Sequence, residues 1–285
     1  MDNTNKKKTV VLLTINAWGV SSDVENNAIR KAKIEDFKDL VASYPSTIIK
    51  TCSDKLSENY RILGLGLKSD NYFYNKNSLS KIIDQNNFSQ IKIADSENFP
   101  LVSVFFNNQE EKFINEDWKI VKNKKALSDL FFSVDEKIIK ETVSTIKSGK
   151  YDFIFSNLSE MGDAALSGDF GQTISAVEKT SLGLKKIANA VLEEEGTLIV
   201  LGAYGAAEDV FNVNTKISNF SKTSNPVPFL IVGKDYQGKT IGLEEAPNND
   251  LSLIKTQGDF SDIAPTVLKI MGLDIYPEMT GESFV

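Results

Sequence analysis

Apolar residues in this chain fall into two alternating patterns, short unbroken runs and ridges at helical spacing. Residues 9–15 form a continuous run rich in β-branched side chains, which predicts a strand buried on both faces. Residues 27–44 carry Ile29, Ala32, Phe37, Leu40 and Val41 on one helical face, and Pro45 ends the pattern. Residues 47–51 predict a second strand. Residues 53–77 hold Gly64, Gly66 and many Ser, Asp and Asn, so they predict loop. Helical spacing returns at Leu79, Ile82 and Ile83, and residues 91–94 and 101–106 predict strands. Ser133-Val134-Asp135-Glu136 matches a capping box. Val134, Ile138, Val143 and Ile146 then mark the buried face of a helix that Gly149 closes. A strand over 151–155 and a long helix over 172–195 follow, with Gly196 as the glycine after its last turn. Residues 197–201 and 227–232 predict two more buried strands, and 262–271 a last helix before Gly272. This alternation predicts an α/β fold, a mostly parallel sheet with helices on both faces, in a single domain over residues 1–285.

Composition narrows the function classes. Apolar residues make up 41% and charged residues 25% of the 285, as in soluble globular proteins. The net charge of −7 argues against a nucleic-acid partner. The local basic runs Lys6-Lys7-Lys8 and Lys122-Asn123-Lys124-Lys125 read as solvated surface. No apolar stretch reaches transmembrane length and the start lacks a signal-peptide pattern, so no membrane partner is expected. The one cysteine, Cys52, allows no internal disulfide, which fits a reducing compartment, the cytoplasm. The chain contains no histidine. That removes the commonest general acid–base near neutral pH, and Cys52 has no imidazole to activate it as a nucleophile.

Several motifs nevertheless carry a family likeness. They are Trp18-Gly19 with Asn27-Ala28-Ile29, Phe105-Phe106-Asn107, Gly149-Lys150-Tyr151-Asp152-Phe153-Ile154 and Asn225-Pro226-Val227-Pro228-Phe229. To these add Ser261-Asp262-Ile263-Ala264-Pro265-Thr266-Val267-Leu268, Met271-Gly272-Leu273 and Glu278-Met279-Thr280-Gly281. In this order the chain resembles cofactor-independent phosphoglycerate mutase, a metalloenzyme of the alkaline phosphatase superfamily. The resemblance implies an alkaline-phosphatase-like three-layer sandwich. It also implies two metal ions, usually manganese, and a serine that carries the phosphoryl group. The family has an inserted domain that binds phosphoglycerate. Here residues like those before the insertion end near Leu67 and residues like those after it begin near Leu79, which leaves no room for it.

The family's site residues do not carry over. The metal-binding aspartate of its Asp-Gly-Trp-Gly becomes Asn16. An ungapped reading puts Gly66 at the nucleophile, with Ser57 and Ser69 open as alternatives. An Asp and a His four residues apart become Gly162 and Leu166. The pair in Ala-Asp-His-Gly-Asn becomes Ala203 and Tyr204, a further histidine becomes Lys222, and an active-site lysine becomes Asn98. Leu166 and Ala203 cannot coordinate a divalent ion and Lys222 would repel one. The first reading is therefore a catalytically inactive paralogue with no metal cofactor, kept as a scaffold or binding protein with a protein partner. A second is an enzyme with a rebuilt oxygen-only site drawn from Asp23, Glu160, Asp163, Glu208 and Asp209. A third is a phosphate or phosphometabolite sensor that binds the anion through Lys222. The apolar side chains of 54–78 (Tyr60, Leu63, Leu65, Leu67, Tyr72, Phe73, Tyr74) belong either to an exposed interface or to core folded over the old site.

Overall fold

The apolar run at 10–15 forms the central strand of a seven-stranded sheet. In the computed structural model, which describes residues 8–53, 55–68, 77–122, 133–241 and 245–285, the strands are β1 (Val10–Ile15), β2 (Ser46–Ile49), β3 (Gln90–Asp95), β4 (Glu116–Val121), β5 (Phe153–Leu158), β6 (Thr197–Gly202) and β7 (Val227–Val232). Their spatial order is β2-β7-β6-β1-β5-β3-β4. β1 pairs in parallel with both β5 and β6, and only β7 runs against its neighbours. Every residue of β1, β3, β5, β6 and β7 is buried, as expected of strands covered on both faces.

The helices are α1 (Ala28–Lys31), α2 (Glu35–Ser43), α3 (Leu56–Leu65), α4 (Leu79–Gln85), α5 (Val134–Ser148), α6 (Glu160–Leu166), α7 (Phe170–Glu193) and α8 (Ile263–Ile270). The pleat of β5 sorts them into layers. Phe155 meets Tyr60 of α3 and Phe106 on one face, with ring centroids 6.1 and 4.6 Å apart. Its neighbour Ser156 points the other way and meets Thr142 of α5, oxygen to oxygen at 2.8 Å. No helix of the described residues is long and apolar enough to cross a membrane.

Several elements differ from the sequence pattern. The expected loop over 53–77 carries α3. Its polar residues begin the helix: the Asn59 side chain accepts from the Cys52 and Ser53 amides at 3.0 and 2.8 Å. Gly64 is a close-approach point, where a Cβ would lie 2.1 Å from the Phe106 carbonyl oxygen. Gly66 closes the helix at φ 65°. Tyr60, Leu63, Leu65 and Leu67 are consequently core, each contributing about 1.5–3 kcal/mol by burial, and they form no exposed interface. Tyr72, Phe73 and Tyr74 lie outside the described residues, as do most of both lysine runs.

The expected strand over 101–106 is a π-helix, Leu101–Phe105, with the Phe106 amide bonded back to the Leu101 carbonyl at 3.1 Å. Asp95 caps the Glu97 and Asn98 amides (2.8 and 3.1 Å) and Ser103 bonds the Phe99 carbonyl (2.7 Å), so local bonds override β propensity. The helix expected over 27–44 breaks at Ala32–Ile34, where the Lys33 amide leaves the helical ladder for Glu178 of α7 (3.0 Å). After α7 it is Glu195 that takes positive φ, at 59°. Gly196 is needed for contact instead, since a Cβ there would lie 2.6 Å from the Thr9 carbonyl oxygen.

Candidate functional site

Parallel strands end on one edge of a sheet, and the loops beyond that edge are where α/β proteins build sites. Here β1, β5 and β6 finish level: the Asn16 amide donates to Leu158 (2.9 Å) and the Ala203 amide to Ile15 (2.8 Å). Ala17 turns the chain at φ 65°, a conformation that costs a non-glycine residue roughly 1–2 kcal/mol. Its carbonyl accepts from the Ala206 and Ala207 amides (3.3 and 3.0 Å), which ties the β1 and β6 loops together.

A hydrogen-bond network fills the centre of this edge. Asn157 donates to Thr14 Oγ1 (3.0 Å), Asn16 Oδ1 (3.0 Å) and the Tyr60 hydroxyl (3.1 Å). Tyr60 in turn donates to Thr14 (2.9 Å), and burial pushes its pKa up. Asn16 donates from its other end to Asn98 Oδ1 (3.2 Å), and Asn98 donates to Asp95 (2.9 Å). Both ends of the Asn16 amide are thus committed to protein partners.

Beside Asn16 stands Tyr204, buried, with its hydroxyl pressed onto α6 at Gly162. A Cβ at Gly162 would lie 2.5 Å from the Tyr204 hydroxyl oxygen and 3.0 Å from Asn16 Cβ. The glycine is therefore the condition for the tyrosine. Burial, then the Asp163 carboxylate, push the Tyr204 pKa up, so the phenol stays protonated. The Lys222 ammonium lies over this ring, 4.7 Å from its centroid, and partial desolvation there lowers its pKa. Asn16, Gly162, Tyr204 and Lys222 thus come together. Manganese does not fit them: the group offers committed amides, a neutral phenol and a cation.

The remaining candidates divide. Ala203 is buried beside Ile15, and Leu166 ends α6, half-buried against the core. Gly66 is not at this edge. It ends α3 against Met279 and Pro265, nine residues and so about 13 Å along the helix from Ser57 in the first turn. Ser69 lies outside the described residues. The five carboxylates do not assemble. Asp23 is an exposed acceptor for Ser21, Glu160 accepts from the Val134 amide (2.7 Å), and Asp209 accepts from Asn26 (2.5 Å). Glu208 is wedged between Gly19 and Gly205 and accepts from Thr223 and Asn225; burial pushes its pKa up. Asp163 is pushed up by burial and by Asp95, Glu97 and Glu160, so the edge near α6 is electronegative. Even so, among the described residues no three carboxylates or thiols converge at metal-binding distance. Burial and the Asp259 carboxylate push the Cys52 thiol up to about 11, which leaves it un-ionised at neutral pH.

Sequence reasoning did not single out Asn157, Thr14 or Asp95, and named Tyr60 only among the apolar side chains of 54–78. Polar residues inside otherwise apolar runs, such as Asn157 after Phe-Ile-Phe-Ser, were the available signal.

Comparison with known proteins follows the same outline. The sequence model of the Metalloenzyme superfamily matches residues 8–275. A 2,3-bisphosphoglycerate-independent phosphoglycerate mutase of Clostridium perfringens is 30% identical over 233 residues, which is 81% of this chain and 42% of the mutase. The chain thus spans less than half the length of that relative. The PH0037 protein of Pyrococcus horikoshii superposes with a TM-score of 0.63 at 11% identity, over 95% of this chain and 98% of that one. A protein of the alkaline phosphatase superfamily from Vibrio parahaemolyticus gives 0.60 at 14% identity, over 97% and 69%. Both structural matches are likenesses of fold.

Proposed function

Because the chain belongs to the Metalloenzyme superfamily, we propose that it is a non-catalytic member, related to the cofactor-independent mutases and acting as a scaffold or binding protein without manganese. The observation that carries this reading is the Tyr204 ring seated on Gly162 with Lys222 over it, at positions that the sequence resemblance assigns to family metal ligands. A ligand set that loses its carboxylates and imidazoles together, and gains a cation, cannot hold two divalent ions. The phosphoglycerate-binding insertion is absent on this reading, between α3 and α4. Its partner is a protein, since a net charge of −7 disfavours nucleic acid, and the single cysteine suits the cytoplasm.

The test is turnover. Purified protein with excess manganese is assayed for phosphoglycerate mutase and for aryl phosphate hydrolysis. The reading expects rates equal to buffer. Activity that co-purifies with the protein and is abolished in Asp163→Asn would establish instead a rebuilt carboxylate site, the alternative that the electronegative surroundings of Asp163 favour.

A further inference from the structure

α5 and α7 pack against each other, most closely where Gly183 meets Ile139. Gly183 of α7 is bare because Ile139 of α5 reaches it; a Cβ there would lie 2.3 Å from Ile139 Cδ1. Beside this contact the two helices leave an open groove of about 470 Å³. Ile139, Val143, Ala176 and Leu182 give it an apolar lining, and Leu182 is 54% exposed, a high figure for a large apolar side chain. On α7 the groove residues Lys179, Leu182, Gly183 and Lys186 follow the spacing of one helical face.

Charge defines what fits. Lys140 of α5 and Lys179 and Lys186 of α7 border the groove, and none forms an ion pair among the described residues. Other lysines on the same helices are paired, Lys147 with Glu193 at 2.9 Å and Lys185 with Asp36 at 2.5 Å. The acidic groups at one end are already engaged. Glu136 completes the capping box with Ser133, Glu160 accepts from Val134, and buried Asp135 accepts from the Ser159 and Glu160 amides (2.9 and 3.1 Å). These bonds leave Glu136 and Glu160 charged, while burial pushes Asp135 up to about 8; the three lysines outnumber the two glutamates, so the border is net positive beside an apolar floor.

We propose that this groove docks an acidic amphipathic helix of a protein partner. The apolar ridge of that helix would lie on Leu182 and Val143, and its carboxylates would meet Lys140, Lys179 and Lys186. The inference rests on the binding-protein reading above and adds the class of partner. A third helix in the trough between two packed helices follows ordinary ridge-and-groove geometry.

The test uses the full chain and a fluorescein-labelled helical peptide with a leucine ridge and glutamate flanks, compared with the same ridge flanked by lysine. Fluorescence anisotropy should show saturable binding of the acidic peptide that weakens as salt rises. Lys140→Glu combined with Lys186→Glu should weaken it by about tenfold or more, and Leu182→Ser should also weaken it. All three side chains are exposed, so unchanged melting curves will separate lost binding from unfolding. Binding of neither peptide, equal binding of both, or full affinity in the double variant overturns the proposal. So does a dimer in sedimentation that Leu182→Ser dissolves, which would make the occupant a second copy. Enzymatic turnover would defeat the non-catalytic reading without changing these curves, and failure here leaves the turnover result standing.

Discussion

Among the lysines of the described residues that stand over aromatic rings, Lys92 and Lys222 have opposite surroundings. Lys92 of β3 is fully buried, 4.9 Å from the Phe106 centroid, with the Glu116 carboxylate at 2.7 Å and Asn107 bonded to both. Lys222 sits 4.7 Å from the Tyr204 centroid and is exposed, with no ion pair among the described residues. Desolvation lowers both pKa values; for Lys92 that brings it down to about 8, with Glu116 opposing the shift. The contrast teaches what holds a cation inside this fold. Where a carboxylate is in place, full charge is kept in the interior. At the strand edge Asn16 and Gly162 supply none, and the cation there keeps a route to water.

The comparison breaks most sharply at Glu116. Glu116→Gln leaves the Lys92 ammonium buried without its counter-ion and should cost about 3–5 kcal/mol in urea unfolding. Replacing both partners, Lys92→Met with Glu116→Leu, should recover most of that loss, because the pair's desolvation cost goes with it. Lys222 should behave differently. Lys222→Met removes only a cation–π contact at a partly wet site, so stability should change by less than about 1 kcal/mol in the same assay. A loss at Lys222 comparable to that at Glu116 would mean that its charge is held by more than the Tyr204 ring.

How much of this was legible in sequence depends on where each element's partners lie. β1, β6 and β7 are unbroken apolar runs because both their faces are covered, and they could be read directly. β4 is an edge strand with exposed Lys119 and half-exposed Trp118 and Asp117, and its mixed pattern hid it. α3 was hidden because Gly64 and Gly66, residues that normally signal loop, serve helix packing and helix ending. The family resemblance singled out Asn16, Gly162, Tyr204 and Lys222, which the fold brings together. It could not show that the tyrosine fills the room left by the glycine, since that contact joins separate elements. The ungapped reading gave Gly66 as a site position, and its place at the end of α3, against Met279 and Pro265, came only from the fold.

The central claim, that this edge no longer holds the superfamily's metal ions, is tested most directly by manganese binding. Electron paramagnetic resonance of Mn²⁺ titrated into the purified protein at neutral pH counts the free ion at each addition. The account predicts a free signal that follows total manganese, with no stoichiometric site. One or two equivalents bound tightly, and released in Asp163→Asn, would contradict it and show that the carboxylates around α6 assemble a site after all.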